Sequence, residues 1–189
     1  MSTTNIENEI NNKSTAKDST KAETSSEKTK KRTSNTKKPI VARDIDPDQY
    51  VTVRNGFQGR LVYKSKKTGE RFVWDDFGTE QEMELRELRN AKNSYKKFFE
   101  NNWFMFDEDW IIDYLGVRQF YKNAISIDDF DSIFEKDAST IKSIISGLSK
   151  GQKNSVAYRA RVMIAEGRID SNKTIATLEE SLGIELIER

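Results

Sequence analysis

The sequence predicts an α+β fold, and three observations lead there. Strand-like alternation of apolar and polar residues is confined to residues 50–74. From residue 79 onward the apolar spacing lengthens to three and four, with a capping residue or a glycine at each break. The first 39 residues hold almost nothing that could be buried.

That first segment, 1–39, contains 9 basic and 5 acidic residues, 14 Ser or Thr, five apolar residues and no aromatic. Ordering a backbone costs roughly 1–2 kcal/mol per residue, which so few apolar groups cannot offset, so a disordered Lys/Ser/Thr-rich tail is expected. Residues 40–189 contain 23 basic and 26 acidic residues, 61 apolar ones and all 19 aromatics, and read as a single domain. A +4 tail therefore precedes a −3 body.

The body opens with a predicted three-stranded antiparallel β-meander. Tyr50–Arg54 forms a strand ended by Asn55-Gly56, a hairpin dipeptide. Beyond Gly59, Arg60–Ser65 places Leu61 and Tyr63 on one face and Arg60, Val62 and Lys64 on the other. Lys66-Lys67-Thr68-Gly69 supplies the next turn, and Glu70–Trp74 sets Phe72 and Trp74 on a common face. Three short strands are marginal alone, so they must pack on the helices C-terminal to them.

Those helices number about six. Thr79 and Glu82 form a capping box that opens a helix running to about Asn101, with Leu85, Leu88, Tyr95, Phe98 and Asn102 along one stripe. The apolar run Trp103–Phe106 is expected beneath the meander. Asp107 can cap a short helix that Gly116 stops, and Ser126 with Asp129 starts another carrying Phe130, Ile133 and Phe134. Ser139 caps a helix with Ile141, Ile144, Ile145 and Leu148 inward. Ser149 and Gln152 box a longer one, striped by Val156, Ala160, Met163 and Ile164 and stopped by Gly167. Ser171 caps the last, which buries Ile175, Leu178 and Leu182 and stops at Gly183.

Composition removes several chemistries. The chain has no Cys and no His, which excludes thiolate or imidazole zinc sites, disulfides, Cys or His nucleophilic relays and haem held by His. Arg54–Gly59 holds two glycines in no phosphate-cradling pattern, and Ser94 to Lys97 matches a Ser–Lys spacing with no supporting motif. Oxygen ligands are the remaining metal option, in Asp107-Glu108-Asp109 and Asp128-Asp129-Phe130-Asp131. Each cluster sits at a helix start, where acids serve as caps and complement the dipole. No catalytic residue, metal ligand or cofactor is assigned.

The cations are the candidate binding residues. Arg54, Arg60, Lys64, Lys66, Lys67 and Arg71 lie on the hairpins, interleaved with Phe57, Tyr63 and Trp74, a pattern that could set cations on phosphates and rings against bases. The plainer reading is a hairpin with a polar outer face and an aromatic inner one. In the tail, Lys30, Lys31, Arg32, Lys37 and Lys38 form a second basic stretch suited to partner or nucleic-acid contact. Lys150, Lys153, Arg159 and Arg161 add a third set on the Ser149 helix, where contact with an acidic segment of the body is the expected arrangement. Trp110–Val117 has the outline of a helix–Gly–turn, but the segment after it is too short for a recognition helix. No apolar run has the ~18–20 residues of a membrane span, and no h-region marks a secretory signal.

The stretches Val53-Arg54-Asn55-Gly56-Phe57-Gln58-Gly59-Arg60, Thr68-Gly69-Glu70-Arg71-Phe72-Val73-Trp74 and Asn101-Asn102-Trp103-Phe104 resemble small proteins encoded by tailed bacteriophages of low-GC bacteria. The resemblance implies a virion component, an assembly factor or a nucleic-acid-associated phage protein, and it carries no catalytic residues. The expectation is a non-enzymatic structural or interaction protein of a phage particle or its assembly line, located in the virion or host cytoplasm. Its partners would be other structural proteins of the same assembly. The alternative is a nucleic-acid-binding regulator using the basic hairpins and tail.

Overall fold

A computed structural model describes residues 45–187; the predicted tail, with Lys30, Lys31, Arg32, Lys37 and Lys38, lies outside the described residues. The architecture is α+β, with a three-stranded antiparallel sheet, a separate two-stranded hairpin, seven α-helices and one 3-10 helix among the described residues.

The strands are β1 (Tyr50–Asn55), β2 (Leu61–Lys64), β3 (Arg71–Trp74), β4 (Glu80–Glu84) and β5 (Phe104–Met105). The expected alternation holds: Leu61, Tyr63, Phe72 and Trp74 are buried, whereas Val62, Lys64 and Arg71 face outward. The pairing differs from a simple meander. β2 pairs only with β3, while β1 pairs with β4 on one side and β5 on the other. Asn55 explains the difference. Instead of making a hairpin turn, its fully buried amide donates to the Gly59 and Asp76 carbonyls at 2.8 and 2.9 Å and accepts from the Phe57 N–H at 2.8 Å. Its backbone accepts from Gly78 N–H and donates to Thr79 O. One side chain thus organises both the β1–β2 loop and the β3–β4 turn, and directs β1 away from β2.

The helix expected over 79–101 resolves into three pieces, β4, α1 (Leu85–Ser94) and α2 (Lys97–Glu100). Thr79 closes a turn with Asp76 and caps nothing. Glu80–Glu84 has little strand propensity, but its partner β1 supplies it: Thr52 donates to Glu82 at 2.7 Å and Tyr50 to Glu84 at 3.0 Å across the ladder. The helix itself starts at Leu85 and fails at Tyr95, whose φ/ψ of −146°/59° leaves the helical region. Leu85, Leu88, Phe98 and Asn102 nonetheless all reach the interior, as the stripe predicted.

The remaining helices are α3 (Asp109–Leu115), α4 (Arg118–Tyr121), the 3-10 helix Phe130–Glu135, α5 (Ala138–Gly147), α6 (Lys150–Ala165) and α7 (Asn172–Leu182). Ser149 accepts from Gln152 N–H and Ser171 from Thr174 N–H, as expected of caps, and Gly116, Gly167 and Gly183 take positive φ at the helix ends. α5 is capped by Asp137 and not Ser139: the carboxylate accepts from the Ser139 and Thr140 N–H groups. The Gln152 side chain does not close a box. It crosses to Ile125, exchanging two hydrogen bonds with that residue's backbone.

Two apolar cores result. The first spans Val51–Val117 and is dominated by rings; Phe104 lies against Phe98, Trp74, Phe99 and Tyr63 with centroids 4.8–5.7 Å apart. Such pairs contribute about 0.5–1.5 kcal/mol each beyond their buried area. Trp74 also donates its indole N–H to Val53 O at 2.8 Å, tying the hairpin to the sheet. The second core, Phe130–Leu186, is mostly aliphatic and helical, and Phe77 reaches into it to meet Phe130 at 4.8 Å.

Asn101-Asn102 forms one seam between the cores. Asn102 is fully buried with φ +54°, and its amide donates to Phe120 O at 2.9 Å. A Cβ on Gly56 would lie 2.1 Å from Asn102 O, and one on Gly151 2.2 Å from Asn101 O, so both glycines are required by backbone contact. Ser155 of α6 closes the junction by donating to Gly56 O at 3.1 Å.

Candidate binding surfaces

The hairpin cations separate into two groups. Arg54 leaves the set. On β1 its guanidinium is only 14% exposed and turns toward carboxylates of three other segments. Nη1 donates to Asp107 Oδ1 and Asp128 Oδ2 at 3.1 Å, Nη2 to Asp128 Oδ1 at 3.0 Å, and Nε lies 3.6 Å from Glu80. The hydrogen bond that Arg54 donates to Asp128, with Asp107 behind it, raises the Arg54 pKa, and Arg54 in turn holds Asp128 below the usual carboxylate range. Arg54 is therefore an internal counter-ion and is not free to meet phosphate.

Arg60, Lys64, Lys66, Lys67 and Arg71 are all exposed, and of these Arg60, Lys64 and Arg71 share the outer face of the hairpin. Arg60 makes a solvent-exposed pair with Asp75 at 3.5 Å, the kind worth ~0–1 kcal/mol. Lys66 sits 4.6 Å over the Tyr95 ring. Lys64, Lys67 and Arg71 have no ion pair among the described residues. Geometry follows from the pleat: burying Leu61, Tyr63, Phe72 and Trp74 forces Arg60, Lys64 and Arg71 to the opposite side. The same alternation removes the rings from any base-stacking role, because Tyr63 and Trp74 are 1% and 0% exposed. Phe57, half-buried, packs edge-on against Trp103.

Both acidic clusters prove to be anchored by arginines, an arrangement that caps did not anticipate. Asp107 and Asp128 share Arg54, and Asp131 accepts from Arg159 Nε at 2.8 Å in a two-point pair, with Arg168 3.6 Å away. Arg159, with Arg168 beyond it, lowers the Asp131 pKa. In α3 the N-cap position belongs to Glu108, which makes no capping bond and accepts instead from the Trp110 indole. Only Ser126 with Asp129 behaves as a reciprocal turn pair. The space between Asp107 and Asp128 where a cation would sit is filled by the Arg54 guanidinium. Among the described residues no group of three or more acidic side chains is arranged to hold a metal ion.

Arg159 thus meets the acidic segment expected of it, and Arg161 donates to Glu185 O at 2.8 Å. The turn after α3 leads only into the four-residue α4, which buries none of its residues. No helix among the described residues is long and apolar enough to cross a membrane. Sequence reasoning missed Glu87, a buried carboxylate of α1 that accepts from the Tyr63 hydroxyl. At 100° per residue Glu87 falls off the Leu85–Leu88 stripe, among the polar positions of the helix, so no local signal marked it for burial. No protein-family model, curated protein or solved structure matches the chain.

Proposed function

We propose that the chain is a non-enzymatic structural or interaction protein, a virion or assembly component of a tailed bacteriophage, which docks on an acidic partner surface through the outer face of the β2–β3 hairpin. One observation carries the reading: the hairpin is pinned by its buried inner face while Lys64 and Arg71, directly opposite one another across the ladder, stand outward and form no ion pair among the described residues. Adjacent like charges disfavour each other, so an arriving anionic surface relieves a repulsion that is already present. The phage assignment is supported by the sequence resemblance that runs from Val51 through Trp103.

Mass spectrometry of purified particles and assembly intermediates from the native source tests the reading. The chain is expected in one of them, and Lys64→Glu with Arg71→Glu is expected to lower its incorporation at least about tenfold. Absence from both overturns the assignment.

The same outward cations support a second reading, contact with a nucleic-acid backbone. With Tyr63 and Trp74 buried, that contact would rest on phosphates alone and be indifferent to base sequence. It requires affinity for duplex DNA that falls steeply between about 50 and 200 mM salt.

A further inference from the structure

Glu87 is the only Asp, Glu, Lys or Arg among the described residues that is buried, at 6% exposure. Its carboxylate is held by two neutral donors, the Tyr63 hydroxyl at 2.5 Å and the Asn90 amide at 3.1 Å, and it takes part in no ion pair among the described residues. A buried carboxylate of this kind keeps unused lone pairs and an uncompensated charge. It also lines a cavity of about 200 Å³ between the hairpin and α1. Phe72, 9% exposed, and Tyr50, 60% exposed, contribute ring surface to that cavity, and Glu70 and Glu84 add two further acids. Of the two cations in the lining, Arg86 is already paired with Asp48, while Lys67 is exposed. The cavity is thus net acidic, partly aromatic, and smaller than the roughly 300 Å³ at which drug-sized ligands begin.

We propose that this cavity receives the guanidinium of an arginine presented by a partner protein, with Glu87 as its buried counter-ion. The chemistry selects that group. A planar guanidinium can present N–H donors to the free lone pairs of Glu87 while its face rests on an aromatic ring, and it is more weakly hydrated than an ammonium, so it is more readily stripped of water on entry. Glu70 and Glu84 attract it toward the mouth. The site goes beyond the proposed docking face, which attracts acids, and the Lys64 and Arg71 substitutions that test that face leave every acid of this cavity in place.

An amide-resolved NMR titration of the full chain with N-acetylargininamide, and in parallel with the uncharged isostere N-acetylcitrullinamide, tests the site. Saturable shifts at Phe72, Glu87 and Asn90 are expected with the arginine probe, with a Kd on the order of 1 mM, as suits a single side chain. The citrulline probe should bind at least about tenfold more weakly, and Glu87→Gln should weaken the arginine probe by a similar factor. Glu84→Gln, at a half-buried position at the end of β4, should weaken it severalfold and decides the matter if Glu87→Gln does not fold. Equal binding of the two probes, no saturable shift up to about 50 mM, or an unchanged Kd in Glu84→Gln together with an unchanged or unmeasurable Kd in Glu87→Gln overturns the proposal.

Discussion

Replacing Gly151 by Ala reverses the sign that helix propensity alone would give. Gly151 is the second residue of α6, and Gly→Ala inside a helix ordinarily stabilises by up to about 1 kcal/mol. Here the added methyl would lie 2.2 Å from Asn101 O, 2.5 Å from Asn101 Cβ and 2.9 Å from Asn101 C, all inside the 3.0 Å that Cβ contacts essentially never breach. The carbonyl contact alone demands about 0.8 Å of separation (3.0 − 2.2), and the obstacle is backbone, with no rotamer to yield. Overpacking of this kind costs about 1–3 kcal/mol, and a rigid neighbour places it at the upper end. Subtracting the propensity gain leaves a net loss of about 2 kcal/mol, or roughly 4–8 °C in Tm for a domain of this size.

Urea unfolding followed by two probes reads the effect. All three tryptophans, Trp74, Trp103 and Trp110, belong to the first core or pack against it, so their fluorescence reports that core alone. Far-UV circular dichroism is weighted toward the helices of the second. Both transitions are expected to coincide in the wild type and to move to lower urea in Gly151→Ala, separating if the methyl wedges the cores apart. A variant as stable as the wild type, or more so, would refute the close approach of α6 to Asn101 on which the estimate stands.

Two further outcomes concern the charged groups. Arg54→Gln should cost about 1.5–3 kcal/mol, since it strands the carboxylates that converge on it, and adding Asp107→Asn and Asp128→Asn should restore at least half of the loss in a mutant cycle by urea unfolding. Stability measured against pH should be nearly flat from about pH 5 to 9, because the chain has no His. Asp128, Asp131 and Asp137 have folded pKa values lowered by Arg54, Arg159 and the Ser139 and Thr140 donors respectively; their contribution is complete above the unfolded value of about 4 and is lost as pH falls through the folded ones. Tyr63 is raised by burial and then by Glu87, so its contribution is complete below about pH 10 and lost as pH rises toward its folded value.

What could be read from the sequence was whatever depends on a residue and its near neighbours. The inner face of the hairpin, the Ser149 and Ser171 caps and the glycine stops at 116, 167 and 183 are local, and each appears where expected. β4 was illegible because Glu80-Gln81-Glu82-Met83-Glu84 is a poor strand sequence whose conformation is set by Tyr50 and Thr52, thirty residues or more away. Asn55-Gly56 carries a hairpin signature, yet its partners Asp76, Gly78 and Thr79 overrule it. Arg54 illustrates the same limit for the site. Among six similar-looking cations, only the fold reveals that this one is enclosed by acids contributed from residues 80, 107 and 128.

The two cores occupy successive stretches of chain, Val51–Val117 and then Phe130–Leu186. Every strand of the first, including both neighbours of β1, is complete by Met105. During synthesis the aromatic core can therefore close before most of the second has left the ribosome, so its many exposed rings need not wait for the C-terminal helices. In that order Gly151 and Ser155 dock onto an Asn101-Asn102 turn that is already made. The long-range part of folding that remains is the meeting of the two cores at this seam, at Phe77 against Phe130 and at Arg54 with Asp128.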